Sequence, residues 1–86
     1  MKQVEYKKTF QKQFKKLHPN QKEQFFQRLH SFLTDSNHSN LRIHALKWRY
    51  IWYKSMNISW DMRALFREEW DRLVIFYMIG THSELY

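Results

Sequence analysis

The chain has 86 residues, 43% of them hydrophobic and 19% aromatic, which is enough for one small domain with one modest core. Cysteine is absent, which excludes a disulfide framework and a thiolate zinc site. No apolar stretch approaches the roughly 20 residues of a membrane span, and no secretory signal is evident at the N-terminus. We therefore expect a soluble, cytoplasmic protein that does not bind membranes.

The net charge of +7 is unevenly distributed, because residues 1–43 hold nine Lys/Arg against three Asp/Glu. Such charge attracts phosphate backbones or acidic protein segments. A solvated lysine-rich helix face is the alternative interpretation.

A short strand at residues 4–6 is predicted to open the fold, followed by an amphipathic helix with Thr9 as its N-cap. Its apolar stripe consists of Phe10, Phe14 and Leu17, at helical spacing. Lysines occupy the rest of its surface. His18 and Pro19 end this helix, because proline disfavours helical geometry in the residue before it.

A second helix is predicted from Asn20, which has capping-box spacing to Glu23. Its buried face consists of Phe25, Leu29, Phe32 and Leu33. Phe26 lies at the edge of that face, and the polar residues 35–40 end the helix. The two helices are expected to form an antiparallel hairpin whose aromatic stripes pack on a sheet.

The second half of the chain predicts that sheet. Strands are expected at residues 51–58, 62–67 and 72–80, with turns at residues 59–61 and 68–71. Since the loops are short, the strands should be antiparallel neighbours.

The last strand contains an unbroken apolar run at residues 73–79 and should be buried on both faces. It is predicted to stop at Gly80, the only glycine, whose conformational freedom would let the chain turn away. His82 follows two residues later. A rigid strand that ends in titratable side chains is a good support for chemistry.

Three segments of the second half carry a resemblance to a known family. They are residues 41–46, residues 57–66 with Asp-Met-Arg-Ala-Leu-Phe, and residues 79–86, which read Ile-Gly-Thr-His-Ser-Glu-Leu-Tyr. With the helical hairpin before them, they resemble the RelE/ParE superfamily of toxins from bacterial type II toxin–antitoxin modules, and are most similar to its YafQ-like mRNA interferase branch. The resemblance implies one domain over residues 1–86 with a microbial-RNase-like α+β fold. Its element order would be β-α-α-β-β-β, with a helical hairpin packed on a twisted antiparallel sheet.

The resemblance also implies a set of catalytic residues. His82 matches the family's histidine after the glycine of the last strand, and Tyr86 matches the terminal aromatic residue. His44 matches the histidine before the sheet, while Asp61 and Arg63 match the aspartate of the first meander turn and the arginine of the next strand. Metal-independent RNA cleavage needs a base for the 2′-hydroxyl, an acid for the leaving 5′-oxygen and a cation for the phosphorane.

These needs assign the expected roles. His82 would be the general acid, and either Asp61 or His44 the base. Arg63 would hold the phosphate through its planar fork, and Tyr86 would stack on or orient a nucleobase. Each residue also has a structural interpretation: a surface histidine, a turn aspartate, an exposed sheet arginine or a packed terminal tyrosine.

One position departs from the branch pattern, because Asn57 stands where YafQ-like members have a second histidine. Asparagine cannot exchange protons, so this residue favours a catalytically degenerate member that only binds its antitoxin or operator DNA.

The tryptophans are expected in the core or at its rim. Trp48, however, lies among basic residues, a mixture that suits either RNA stacking or burial under an antitoxin helix. The residues predicted to contact RNA are Lys47, Trp48, Arg49 and Lys54. The five histidines have no metal-ligand spacing, so neither a metal nor another cofactor is expected.

The resulting hypothesis is an mRNA interferase toxin that cleaves ribosome-bound mRNA and is neutralised by a cognate acidic antitoxin. The toxin–antitoxin complex could also bind operator DNA. The competing hypotheses are a ParE-like toxin that binds DNA gyrase and the degenerate homologue described above.

Overall fold

The computed structural model of the protein describes residues 3–34, 44–45, 53–69 and 72–85, with the backbone alone for His44, Ala45 and His82. The helices and strands are β1 (Gln3–Tyr6), α1 (Lys8–Lys15), α2 (Pro19–Thr34), β2 (His44–Ala45), β3 (Lys54–Asn57), β4 (Met62–Glu69), β5 (Leu73–Thr81) and α3 (His82–Leu85). The predicted α+β class and helical hairpin are confirmed. Within the described ranges, no helix is long and apolar enough to cross a membrane.

The strands form one five-stranded sheet in the order β1-β5-β4-β3-β2. Strands β3, β4 and β5 make the predicted antiparallel meander. The expectation of a wholly antiparallel sheet is wrong, because β1 pairs with β5 in parallel, with Val4 opposite Val74. The chain leaves β1 directly into the helical hairpin and returns to the sheet at its other side, so the first and last strands become neighbours. The sheet is therefore mixed.

Strand β4 is longer than its sequence pattern indicates. Glu68 and Glu69, predicted as part of a turn, belong to this strand. Glu68 is 3.1 Å from Lys54 Nζ, and Glu69 is 2.9 Å from Arg67 Nε. These ion pairs explain why acidic residues are accepted at the strand end.

Both predicted helix caps are wrong. Helix α1 begins one residue before Thr9, because Lys7 is its extended N-cap residue and carries no side-chain capping bond. Helix α2 begins at Pro19, and the N–H of His18 donates to the Gln21 side chain at 2.9 Å. This is half of a capping box, and proline suits the first helical position since its missing N–H would have no helical partner there. The predicted box at residues 20–23 thus has the right spacing but lies two residues too late.

An aromatic core joins the hairpin to the sheet. Phe10 of α1 and Phe25 of α2 are fully buried against Phe76 of β5, with ring centroids between 5.2 and 5.6 Å apart. Phe32 meets Phe66 of β4 at 5.0 Å. The predicted apolar stripes of both helices therefore face the sheet, where such rings contribute area burial and specific edge-to-face contacts.

A glutamine side chain completes the outer edge of β5. Strand β1 ends at Tyr6, which is paired with Phe76 of β5. Directly after Phe76, the register between β4 and β5 shifts, between Leu65 and Phe66 of β4. Beyond it, the N–H of Ile79 donates to Gln13 Oε1 of α1 at 2.8 Å in a partly buried position. The helix side chain thus satisfies a backbone donor that β1 is too short to reach.

We expect replacement of Gln13 by Ala to lower the free energy of unfolding by about 1–3 kcal/mol, because a partly buried N–H would lose its acceptor. The matched control is Gln11→Ala in the same helix. Gln11 donates to the Tyr6 carbonyl at 2.9 Å in an exposed position, where water can replace the bond, so its loss should be about 1 kcal/mol or less. Urea denaturation of the three proteins measures the difference, and equal losses would show that the Ile79 bond has no special weight.

Candidate functional site

The turn between β3 and β4 is held by backbone and side-chain hydrogen bonds. The N–H groups of Ile58 and Ser59 both donate to the carbonyl of Met62, at 2.8 and 3.1 Å. From α2, Arg28 Nε donates to the Ile58 carbonyl at 3.2 Å. The predicted turn at residues 59–61 is confirmed, and it places Asp61 on a braced backbone at the start of β4.

Arg63 lies in the middle of the sheet, with Asn57 of β3 on one side and Gly80 of β5 on the other. Its Nε donates to the Ser55 hydroxyl at 2.6 Å, and Ser55 is fully buried. This bond fixes the guanidinium on the face of the sheet opposite the helices, since neighbouring Ala64 lies in the helix-side core.

A capping box begins α3 at the end of β5. The N–H of Thr81 donates to Glu84 Oε1 at 2.7 Å, and the N–H of Glu84 is 3.3 Å from Thr81 Oγ1. Hydrogen bonds that Thr81 donates to the carboxylate, from its backbone N–H above all and also from its side chain, lower the pKa of the Glu84 carboxyl. Leu85 is buried at the other end of this short helix. His82 is the first helical residue, so the box determines the course of its backbone.

The reason for the glycine differs from the predicted one. Strand β5 continues through Gly80 to Thr81, and Gly80 does not have the left-handed backbone conformation that favours glycine. Instead, a Cβ at this position would lie 3.0 Å from Glu84 Oε1 and 3.4 Å from Glu84 Cβ. Glycine leaves room for the capping carboxylate to fold back over the strand.

The register brings three predicted site residues to one end of the sheet. Met62 of β4 is paired with Thr81 of β5. Asp61 comes just before Met62 and His82 just after Thr81, so both lie at the same end of the sheet. Arg63 is one pair further into the sheet, beside Gly80. The backbone of His44 lies in β2, opposite Ser55, the residue that holds Arg63. The β3–β4 turn and the start of α3 thus border the Arg63 guanidinium.

Other predicted residues are not part of this grouping. Lys54 lies on the same face of the sheet as Met56 and is ion-paired with Glu68, so it is not adjacent to Arg63. Tyr86, Lys47, Trp48 and Arg49 lie outside the described residues. Across the described part of the chain, no three His, Asp or Glu residues are grouped so that they could hold a metal ion.

Three features of this region were not predicted from the sequence. The Thr81–Glu84 box has a readable Thr-x-x-Glu signal. The bond from Arg63 to Ser55 depends on strand register and has no local signal. Trp60, expected in the core or at its rim, is 94% exposed at the tip of the β3–β4 turn.

The basic charge of α1 lies on the other side of the molecule. Three exposed lysines, Lys8, Lys12 and Lys15, line a shallow cavity of about 200 Å³. A larger groove of about 470 Å³ runs between α1 and α2, with an aromatic floor and the lysines Lys15 and Lys22 among its lining residues. Both surfaces lie on the helix side of the sheet, away from Arg63.

No protein-family profile and no curated protein sequence matches the chain. Solved structures do. YafQ of E. coli has a TM-score of 0.83 at 17% identity, covering 100% of this chain and 99% of that one. The E. coli DinJ–YafQ complex has a TM-score of 0.72 at 20% identity, with 100% and 99% coverage. A YoeB/ParE toxin from Agrobacterium tumefaciens has a TM-score of 0.77 at 13% identity, with 95% and 99% coverage.

At these identities, the likeness concerns the fold. The match to E. coli YafQ covers essentially the whole length of both chains. The resemblance predicted from the three sequence segments is thereby confirmed at the level of architecture. This protein has the RelE/YafQ-like toxin fold.

Proposed function

We propose that the protein is the toxin of a type II toxin–antitoxin module and that it acts as an mRNA interferase. The observation that carries the proposal is the grouping of Asp61, Arg63 and the backbone of His82 at one end of the sheet. The fold shared with YafQ supports the same assignment. A carboxylate, a guanidinium and an imidazole can supply the base, the cation and the acid that metal-independent RNA cleavage requires.

In the proposed reaction, the ribose 2′-oxygen attacks the adjacent phosphorus as its proton passes to Asp61 or His44. The new P–O2′ bond forms while the P–O5′ bond breaks. His82 gives its proton to the leaving 5′-oxygen. The products are a 2′,3′-cyclic phosphate and a 5′-hydroxyl end, so all atoms are accounted for without an external reductant or metal.

Arg63 stabilises the negative charge that develops on the phosphorane. Its position beside Gly80 supports this role, because the paired strand reaches His82 only two residues later. The Ser55 bond holds Nε, and this preorganisation lowers the reorganisation needed in the transition state. Tyr86 stacks on or orients the base at the cut site, while Lys47, Trp48, Arg49 and Lys54 contact the RNA backbone or bases.

The partners follow from charge and fold. An acidic, partly disordered antitoxin would neutralise the protein by covering its basic surface, as a chain with a net charge of +7 favours. The E. coli relative is found in complex with DinJ, which supports an antitoxin partner. The proposed substrate is mRNA on the ribosome, and the toxin–antitoxin complex is proposed to bind operator DNA.

Primer extension on messages from cells that express the protein tests the proposal. Discrete cuts within translated regions are expected, and purified RNA products should carry 2′,3′-cyclic phosphate and 5′-hydroxyl ends. Supercoiling defects without cuts would instead indicate a gyrase-binding toxin. Normal growth with intact messages would indicate a degenerate homologue, the outcome that Asn57 favours.

We expect Arg63→Ala to lower the cleavage rate by roughly 10²- to 10³-fold, because the phosphorane would lose a preorganised cation. Arg67→Ala is the matched control. Arg67 lies on the same strand and on the same face, but it is four residues away and its Nε is paired with Glu69 at 2.9 Å. Removing Arg67 should leave the rate within a few-fold of wild type.

Loss of Arg63 also deprives the buried Ser55 hydroxyl of its donor. Both variants should therefore be compared at a temperature where circular dichroism shows them fully folded. Equal rates for the two folded variants would remove Arg63 from the mechanism.

A further inference from the structure

Trp60 is the most unusual side chain on the surface that the structure describes, because 94% of it is exposed. Tryptophan normally buries a large apolar area on folding. The other exposed large hydrophobic residue among the described ones, Phe26, is 52% exposed and packs edge-on against Phe14 and Phe25. Trp60 stacks on no other aromatic ring among the described residues. Its exposure therefore forgoes a stabilising contact.

The backbone beneath Trp60 is well fixed. Two N–H groups before it, those of Ile58 and Ser59, bond to the carbonyl of Met62 on the far side of the turn. Arg28 anchors the Ile58 carbonyl to α2. A turn held in this way loses little backbone freedom when its side chain binds a ligand.

Trp60 also lies beside the proposed catalytic residues. Trp60 directly precedes Asp61. Met62, the residue after Asp61, is paired with Thr81 at the end of β5. The backbone of Trp60 therefore lies at the end of the sheet that also holds Asp61 and the start of α3.

The surroundings of the ring favour a nucleobase over a protein surface. Its neighbours in the turn, Ser59 and Asp61, are polar, and Phe26 on α2 is the only other exposed large hydrophobic residue among those described, so this part of the chain shows no contiguous apolar patch of the kind that protein interfaces need. A single exposed ring matches the face of one base, and base–aromatic stacking tolerates polar surroundings. The net charge of +7 draws RNA toward the protein.

We propose that Trp60 stacks on an unpaired base of the RNA substrate next to the cleaved phosphate. This inference rests on the proposed RNA-cleaving function and adds a binding contact to it. The contact would be non-electrostatic, and it would hold the strand by one base while Arg63 holds the phosphate.

A binding cycle with two proteins and two probes tests the contact. The probes are a fluorescein-labelled 2′-O-methyl hexaadenylate, which cannot undergo 2′-hydroxyl attack, and an abasic version with the same sugar–phosphate backbone. Trp60→Ala should weaken binding of the intact probe by roughly 5- to 150-fold. Binding of the abasic probe should be unchanged. Trp60→Phe should retain most of the affinity, and Phe26→Ala, which removes the other exposed aromatic side chain, should bind like wild type.

The salt dependence gives a second readout. Because stacking releases no counterions, the slope of log affinity against log salt should be the same for wild type and Trp60→Ala. Equal weakening on both probes, or wild-type binding by Trp60→Ala, would overturn the inference and leave the proposed function standing. Wild-type protein that binds neither probe would also overturn the inference, while primer extension on cellular messages decides the proposed function separately.

Discussion

Replacing His82 with Ala should lower the rate of RNA cleavage by roughly 10²- to 10⁴-fold, because the leaving 5′-oxygen would lose its proton donor. The measurement is the initial rate of cleavage of a defined message, on ribosomes and as free RNA. The backbone course should persist in the variant, since the Thr81–Glu84 capping box and the buried Leu85 hold α3 without the imidazole. The loss would therefore report chemistry rather than folding.

His30→Ala is the control for this experiment. His30 is exposed on α2, on the helix side of the sheet, and should be dispensable for cleavage. If His82→Ala cleaves like His30→Ala and wild type, the general acid has to be sought elsewhere. A loss of activity in His82→Ala with RNA binding intact would support the assigned role.

Truncation of Phe25 to Ala should lower the free energy of unfolding by about 3–5 kcal/mol. The ring is fully buried and lies within 5.2–5.4 Å, between centroids, of the rings of Phe10, Phe14 and Phe76, so its removal opens a cavity between both helices and β5. Small domains are stable by only about 5–15 kcal/mol. This single change should therefore remove a large part of the protein's free energy of unfolding.

Phe26→Ala is the matched control, because the two phenylalanines are neighbours on the same helix. Phe26 is 52% exposed, and its truncation should lower the free energy of unfolding by about 1 kcal/mol or less. Should Phe25→Ala fail to fold, Phe25→Leu keeps most of the side-chain volume and allows the comparison to be made by urea denaturation. Equal losses at the two positions would mean that the aromatic core does not dominate stability.

The helices and the meander could be predicted from the sequence because their signals are local. Phe10 and Phe14 recur at helical spacing, and residues 73–79 are continuously apolar, so each pattern determines its own element. The parallel pairing of β1 with β5 had no such signal. It depends on how the hairpin returns the chain to the sheet, and no local pattern records which distant strand is the neighbour.

The errors at element ends have a common origin in side-chain contacts across the fold. Glu68 and Glu69 look like turn residues until Lys54 and Arg67 are placed beside them. Gly80 looks like a residue needed for backbone freedom until the Glu84 carboxylate is placed over it. Lys54 is distant in the sequence from Glu68, whereas Arg67 and Glu84 lie only two and four residues from Glu69 and Gly80, and all of these contacts became evident only in the folded chain.

The candidate site shows the same division. The placement of Asp61 and Arg63 on one short hairpin followed from the turn at residues 59–61, which the sequence pattern predicted. The bond from Arg63 to Ser55 and the exposure of Trp60 required the register of β3 against β4 and the packing of α2. The catalytic roles of His82, Asp61, His44, Arg63 and Tyr86 remain predictions.

The parallel contact between the first and last strands affects how the protein can be made. Gln3 is paired with Leu73, roughly seventy residues later, so β1 leaves the ribosome well before the strand that pairs with it. Translation adds about 5–20 residues per second, and contacts of such long sequence separation form slowly. A nascent chain that stalls before β5 has neither a neighbour for β1 nor a residue 82. Strand β1 therefore stays unpaired on the nascent chain until β5 has been synthesised.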